Sequence, residues 1–413
     1  MAMPILGRIA ALAALLALAG CGSGGGGSDS SAGGDGTVGV APAFAPNVLA
    51  ITIDGGPPGV NAVNVPYVNV TVCSPGTTQC QTVDHVLVDT GSAGLRIVAS
   101  VLNSSLLLPP QTDDNGNNLA ECAVFLDGFS WGAVRIADVV LASQTAGSIP
   151  IQLIGDPAFP TVPASCSGTG PKAKNTVQGL SANGILGVGP FLQDCGAACA
   201  RTAIVGTYYI CPQGGCQPVV TSLARQVPNP VARLPVDNNG VIIELPALPA
   251  SGASRAIGAL TLGIGTAGNN ALGSAAKFDL DRTGNFRTTY NGRTSTAFVD
   301  SGSNGLFFSD PGIPTCSATS PTPSFYCPPA TLALSATMQG AANGQTQGVS
   351  FSVANATALI SNAPTFKAFN NLGGPSAGST SFDWGIPFFF GRRIFTAIEG
   401  QSTPAGAGPY IAF

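Results

Sequence analysis

Two stretches of this 413-residue chain place an acid in the same local setting. The first reads His85-Val86-Leu87-Val88-Asp89-Thr90-Gly91-Ser92-Ala93-Gly94-Leu95, the second Thr296-Ala297-Phe298-Val299-Asp300-Ser301-Gly302-Ser303-Asn304-Gly305-Leu306. In each, an apolar run enters Asp-(Thr/Ser)-Gly-Ser and a Gly-Leu pair closes the stretch. One copy alone would be a common turn in which the acid bonds nearby amides. Two copies, 211 residues apart, are what two related lobes would give. Carboxyl groups held about 3 Å apart resist double ionisation, so one stays protonated while the other is charged. An acid and a base then coexist, able to activate a water and protonate a carbonyl oxygen together. Peptide hydrolysis without metal or covalent intermediate needs that combination. Either Asp89 or Asp300 is the base at a given step, because the proton belongs to the pair.

Other chemistries have less to stand on. His85 is the only histidine, so a Ser-His-Asp arrangement would depend on it alone. It reads instead as a residue buried or at a strand edge. Asp127-Gly128 and Asp237-Asn238-Asn239-Gly240 read as hairpin turns rather than metal loops. Phe388-Phe389-Phe390 reads as core, and the glycine-rich residues 262 to 265 lack the lysine and strand-to-helix setting of a phosphate loop. No metal and no cofactor is expected.

The elements that must position the two acids are strands. With 55 glycines, 33 prolines and only 9% charged residues, the composition suits short strands joined by many turns. The exported part, about 370 residues, exceeds what one hydrophobic core usually serves, so two lobes are expected. Formal net charge is −4 with no basic cluster, which argues against a nucleic-acid partner.

The chain opens with Arg8 ahead of an apolar run, Ile9 to Ala19, too short to span a bilayer comfortably, so residues 1–20 read as a signal peptide. Its end, Leu18-Ala19-Gly20-Cys21, resembles the lipobox of bacterial lipoproteins, which implies acylation of Cys21. Residues 21–45, rich in Gly, Ser and Ala, are expected to form a flexible tether to the membrane. Gly22 in place of aspartate points to the outer membrane of a bacterial envelope, facing periplasm or surface.

Setting Cys21 aside leaves ten cysteines, an even number suited to an oxidising compartment. Short spacings suggest Cys73 with Cys80, Cys195 with Cys199, Cys211 with Cys216 and Cys316 with Cys327; Cys122 with Cys166 follows by elimination. A four-thiolate zinc site from Cys195, Cys199, Cys211 and Cys216 is the rival reading.

The paired motifs resemble those of pepsin-like aspartic proteases, and further marks fall in the order of that family. Asn183-Gly184-Ile185-Leu186-Gly187 looks like the segment that passes beneath the first aspartate. Residues 123 to 140 resemble the flap hairpin, with Phe125, Asp127 and Gly128 near its tip. Residues 259 to 265 resemble the opening of the second half, and residues 384 to 400 and 408 to 413 its last strands. The resemblance implies an all-β, bilobal double β-barrel with few short helices, an N-terminal lobe over 46–240 and a C-terminal lobe over 241–413. It implies a monomeric aspartic endopeptidase, taking polypeptide in the interlobe cleft. Thr90 and Ser301 resemble the hydroxyls that bond across to the opposite loop. Gly91 and Gly302 would let backbone approach the carboxylates closely. Ser92 and Ser303 would each donate to an aspartate and favour its ionised form.

Three positions depart from the family. Phe125 stands where a tyrosine is usual, Arg96 where a tryptophan supports that tyrosine, and Trp384-Gly385-Ile386-Pro387 carries a proline in the second lobe's counterpart of Gly-Ile-Leu-Gly. No basic propeptide is visible ahead of the first strand. These departures leave open a catalytically inactive, pepsin-like lipoprotein that binds a protein ligand.

Overall fold

The computed structural model describes residues 31–32, 36–40, 45–212, 215–376 and 380–413. The signal segment, Cys21 and most of the expected tether lie outside the described residues.

The first half is built from strands whose apolar residues alternate or run continuously. After β1 (Thr37–Gly39) and β2 (Val48–Ile53), strands β3 (Pro66–Cys73) and β4 (Cys80–Asp89) form an antiparallel hairpin. The chain continues through β5 (Ala93–Val98), the long hairpin strands β6 (Leu119–Phe125) and β7 (Gly128–Leu141), and β8 (Gln144–Ile154). Strand β9 (Gly184–Val188) then runs between β4 and β5, and β10 (Tyr208–Ile210) flanks β6. All five residues of β9 are buried, as expected for a strand covered on both faces. Val70, Val72, Val86, Val88, Leu95, Ile97, Val139 and Ile151 fill the core of this half.

The second half contains β11 (Gly240–Glu244), β12 (Arg255–Leu262), β13 (Phe286–Tyr290), β14 (Arg293–Asp300) and β15 (Leu306–Phe307). The hairpin β16 (Leu332–Gln339) and β17 (Thr346–Val353) follows, then β18 (Ser381–Gly385), β19 (Arg393–Ala397) and β20 (Tyr410–Ala412). Its core is aromatic: Phe382 stacks on Trp384 at 4.4 Å and on Phe308 at 5.0 Å between centroids. The Trp384 indole donates to Thr288 Oγ1 at 2.9 Å, so its buried N–H is satisfied. Helices are few, and the longest in the described residues, Ala356–Asn362, has seven residues.

The sheet of the first half continues into the second through the pairing of β2 with β3 and with β12. Strands β2, β12, β11, β19 and β20 lie side by side, so Val48–Ile53 of the first half is hydrogen-bonded to the second. The same sheet corrects the expected tether. Strand β1 runs parallel to β12, Thr37 opposite Arg255 and Gly39 opposite Ile257, and buries Val38; Ser31 and Ala32 pair with it in turn. The end of the Gly-Ser-rich segment is therefore part of the fold, because a single valine finds an unpaired stretch of sheet edge. Asp237 to Gly240 is also not a hairpin turn. It is the crossing into β11, where the buried Asn239 side chain bonds Ile264 O at 3.0 Å and Ser402 O at 2.9 Å.

Candidate active site

Each aspartate ends a strand and is supported in the same way. Strand β9 is parallel to β4, with Gly187 opposite Asp89, and antiparallel to β5, with Gly187 opposite Gly94. In the second half β18 is parallel to β14, with Gly385 opposite Asp300, and antiparallel to β15, with Trp384 opposite Leu306. Gly385 thus occupies the place of Gly187. A Cβ there would lie 2.1 Å from Gly305 O, so no other residue fits without moving backbone. Pro387 is not an irregularity of this strand. It lies beyond the strand end, in the 3₁₀ turn Ile386–Phe388, where it withdraws no donor from the ladder.

The two loops meet through their hydroxyls. The Thr90 amide donates to Ser301 Oγ at 3.0 Å, and the Ser301 amide donates to Thr90 Oγ1 at 2.9 Å. Thr90 Oγ1 donates in turn to Val299 O at 3.1 Å and Ser301 Oγ to Val88 O at 2.7 Å. Each carboxyl receives the same pair of local donors. Gly91 N and Ser92 Oγ reach Asp89 at 2.8 and 2.5 Å; Gly302 N and Ser303 Oγ reach Asp300 at 2.8 Å each. A Cβ on Gly91 would lie 2.8 Å from Asp300 Cγ, and one on Gly302 would lie 2.8 Å from Asp89 Oδ1. Each glycine therefore makes room for the opposite acid.

The two carboxyl groups face the same small space: a Cβ on Gly302 would lie 2.8 Å from Asp89 Oδ1 and 3.1 Å from Asp300 Oδ1. Burial first, then the neighbouring Asp89 and the further Asp383, push the Asp300 carboxyl well above the ordinary range, so Asp300 keeps its proton where an ordinary carboxyl would lose it. The arrangement can supply an acid and a base to one bound molecule.

A family model described as "Protein of unknown function (DUF3443)" matches residues 43–413. The chain belongs to the DUF3443 family. Among solved structures, this DUF3443 chain is similar to the crystal structure of an aspartic proteinase from Irpex lacteus, at 15% identity and a TM-score of 0.51, over 88% of this chain and 96% of that one. That likeness is one of fold, and the fold is all-β and pepsin-like. No curated protein matches the chain.

The hairpin that resembles a flap turns at Leu126-Asp127 and is held on both edges in this DUF3443 protein. Cys122 is bonded to Cys166, Phe129 exchanges hydrogen bonds of 2.9 and 2.8 Å with Lys172 and Lys174, and Asp127 pairs with Lys174 at 2.6 Å. Gly128 sits so close to this segment that a Cβ would lie 2.4 Å from Lys172 O. On the other edge the Cys122 amide donates to Thr207 O at 2.6 Å. Phe125 packs with the group containing Tyr67, Leu87 and Val98.

Arg96 does not take over the tryptophan's support of the flap ring. It is buried and reaches Glu121 of β6 at 2.5 Å and Asp194 at 3.3 Å, while Tyr208 donates to Asp194 at 2.7 Å. Burial, then the charge of Glu121, holds the Asp194 carboxyl well above its usual range, so the group carries one cation against two acids that need not both be charged. A charged strut therefore joins β5 to the base of the flap strand. His85 sits in a bulge with φ +48°, its ring 2.9 Å from Asp84 and 3.4 Å from Asp54, and lines a surface groove with both acids.

The ten cysteines form five disulfides: Cys73–Cys80, Cys122–Cys166, Cys195–Cys199, Cys211–Cys216 and Cys316–Cys327. The rival zinc site has no thiolate left. Two residues at the junction escape sequence reasoning. Asn64, fully buried with φ +58°, donates to Asn304 O at 2.9 Å and Phe369 O at 2.8 Å, tying the first half to the loop after Asp300. Asp383, on β18, is a third carboxyl beside the pair. Its one sequence signal is an acid inside an apolar run, Phe382 to Phe390.

Proposed function

We propose that this protein is a membrane-tethered aspartic endopeptidase. The observation that carries the reading is the approach of Asp89 and Asp300, each packed against the glycine of the opposite loop and each held by equivalent donors. In the proposed reaction a water lies between the two carboxyls. The ionised member takes its proton as the oxygen attacks the peptide carbonyl, and the protonated member gives a proton to the carbonyl oxygen. The tetrahedral diol then collapses: the carboxyl that gained a proton protonates the leaving amine, the other carboxylate takes a hydroxyl proton from the diol as the carbonyl re-forms, and the pair returns to its starting charge. An extended polypeptide suits the site because a strand-like substrate can pair with the edge of the flap hairpin. Cys21 and the apolar run before it support lipid anchoring in a bacterial envelope, at the outer membrane facing periplasm or surface.

A second reading, a binding protein without turnover, is favoured by the flap. Its attachment to residues 166 to 174 limits the opening and closing that accompany turnover in lidded enzymes, and Phe125 offers no hydroxyl. Peptide-library cleavage from about pH 3 to 7, with calorimetric binding of a statine-type inhibitor, separates the two. Inhibitor-sensitive cleavage supports the endopeptidase. Binding of extended peptides without cleavage at any pH supports the binder.

A further inference from the structure

The bonds around the two aspartates follow a near two-fold symmetry, and one residue breaks it. On β9 the residue two before Gly187 is Ile185, opposite Leu87. On β18 the residue two before Gly385 is Asp383, opposite Phe298. Strand alternation sends the Asp383 side chain to the face from which Asp300 projects. An acid therefore stands in the second half where the first has a buried isoleucine.

Asp383 is 4% exposed, and its Oδ1 has no hydrogen-bond partner among the described residues. Ser303 donates to Asp300 Oδ2 at 2.8 Å, and its hydroxyl is also near enough to act on the Asp383 carboxyl. Asp383, Ser303, Asp300 and Asp89 thus form one cluster, with Asp383 on the face of β18 beside Asp300. Strand β14 brings Asp300 toward Asp383, β4 brings Asp89, and β15 places the uncharged Phe307 opposite it. None of the groups that shift Asp300 or Asp383 is a cation. Burial pushes the Asp383 carboxyl up to about 8; the nearby Ser303 hydroxyl opposes this and the charge of Asp89 adds to it. Below that pH the group is a neutral acid, both donor and acceptor. It can donate to the Ser303 oxygen and leave the Ser303 proton directed at Asp300. Above it, a third negative charge makes loss of the pair's last proton harder.

We propose that Asp383 is a positioning residue of the candidate catalytic centre, acting through Ser303 on Asp300 and setting the upper pH limit of the pair. Its catalytic consequence rests on the endopeptidase reading, whereas its electrostatic consequence does not. Asparagine at this position keeps a donor to Ser303 and removes the charge; leucine removes both.

The test is carboxyl carbon NMR of the full-length chain labelled at aspartate, followed from pH 3 to 10 in the wild type, Asp383→Asn and Asp383→Leu. The pH profile of peptide cleavage is measured on the same samples. In both variants the pair should lose its last proton about one pH unit lower, and the basic limb of kcat should move with it. Asp383→Leu should also lower kcat on the acid side, which Asp383→Asn restores. An Asp300 titration unchanged in both variants overturns the proposal, as does an Asp383 resonance that titrates in the ordinary range near about 4. A shifted Asp300 titration in a protein that cleaves no peptide sinks the endopeptidase reading and supports the coupling. Cleavage with an unmoved basic limb does the reverse.

Discussion

The amide of Thr90 donates to the hydroxyl of Ser301, and the amide of Ser301 donates to the hydroxyl of Thr90, at 3.0 and 2.9 Å. Both residues are buried, and both hydroxyls pass their own proton to a backbone carbonyl of the opposite half. The two loops are therefore fixed face to face before any substrate arrives, which is the condition for two carboxyls to share a proton.

Removing either hydroxyl leaves a buried amide and a buried carbonyl of the other half without a partner. Thr90→Val and Ser301→Ala should each cost about 2 kcal/mol or more of folding stability. The double variant should cost less than the sum, since one network is lost in either case. Urea unfolding measures this; losses below about 0.5 kcal/mol in both single variants would show that the exchange does not hold the halves together.

Gly385 is required by the approach of Gly305 O and Ser303 O, which would lie 2.1 and 2.6 Å from a Cβ. Both are backbone atoms beside Asp300. Gly385→Ala should destabilise by about 3 kcal/mol. At Gly348, on the exposed hairpin β16–β17, a Cβ meets nothing within 4 Å, so Gly348→Ala should stay within about 0.5 kcal/mol. Equal thermal shifts for the two substitutions would contradict the placement of β18.

The Cys122–Cys166 bond closes a 44-residue span between the flap hairpin and the segment that pins it. Replacing both cysteines by serine should cost at most about 4 kcal/mol. Hydrogen exchange should quicken at 122 to 130, where Phe129 depends on Lys172 and Lys174 for its partners. Unaltered exchange there would mean that the paired backbone alone fixes the hairpin.

Asp194, Asp300 and Asp383 are all held above the ordinary carboxylate range, chiefly by burial, Asp383 at about 8. Each binds its proton more tightly folded than unfolded, so its contribution is full below the unfolded value near about 4 and is lost as pH rises through the folded value. The lowered Asp113, Asp114 and Asp281 act in the opposite sense, but near the surface, where such effects are small. The melting temperature should therefore fall from pH 5 to pH 8, and fall less steeply in Asp383→Asn. A rise over that interval would contradict the burial of these acids.

The aspartate loops are legible because each is a contiguous motif whose strand, turn and glycine are neighbours in the chain, and because the motif occurs twice. Four disulfides join cysteines no more than 11 residues apart, so spacing alone suggests them. What stays hidden depends on register between distant strands. Nothing near Asp383 in the chain tells which face it takes; that follows from pairing Phe298 with Asp383. Arg96 reads as a lost tryptophan because Glu121, Asp194 and Tyr208 come from three other segments. Thr37–Gly39 reads as tether because its partner, Arg255–Ile257, lies more than two hundred residues on. Pro387 reads as an irregularity only until the strand is seen to end at Gly385.

The most direct measurement is peptide cleavage by Asp89→Asn and Asp300→Asn, each compared with the wild type for folding by thermal melting. An amide keeps the shape of the carboxyl and cannot act as the acid or base, so each substitution should abolish inhibitor-sensitive cleavage while the protein still melts cooperatively. Cleavage at the wild-type rate in either folded variant would show that these two acids do not perform the reaction.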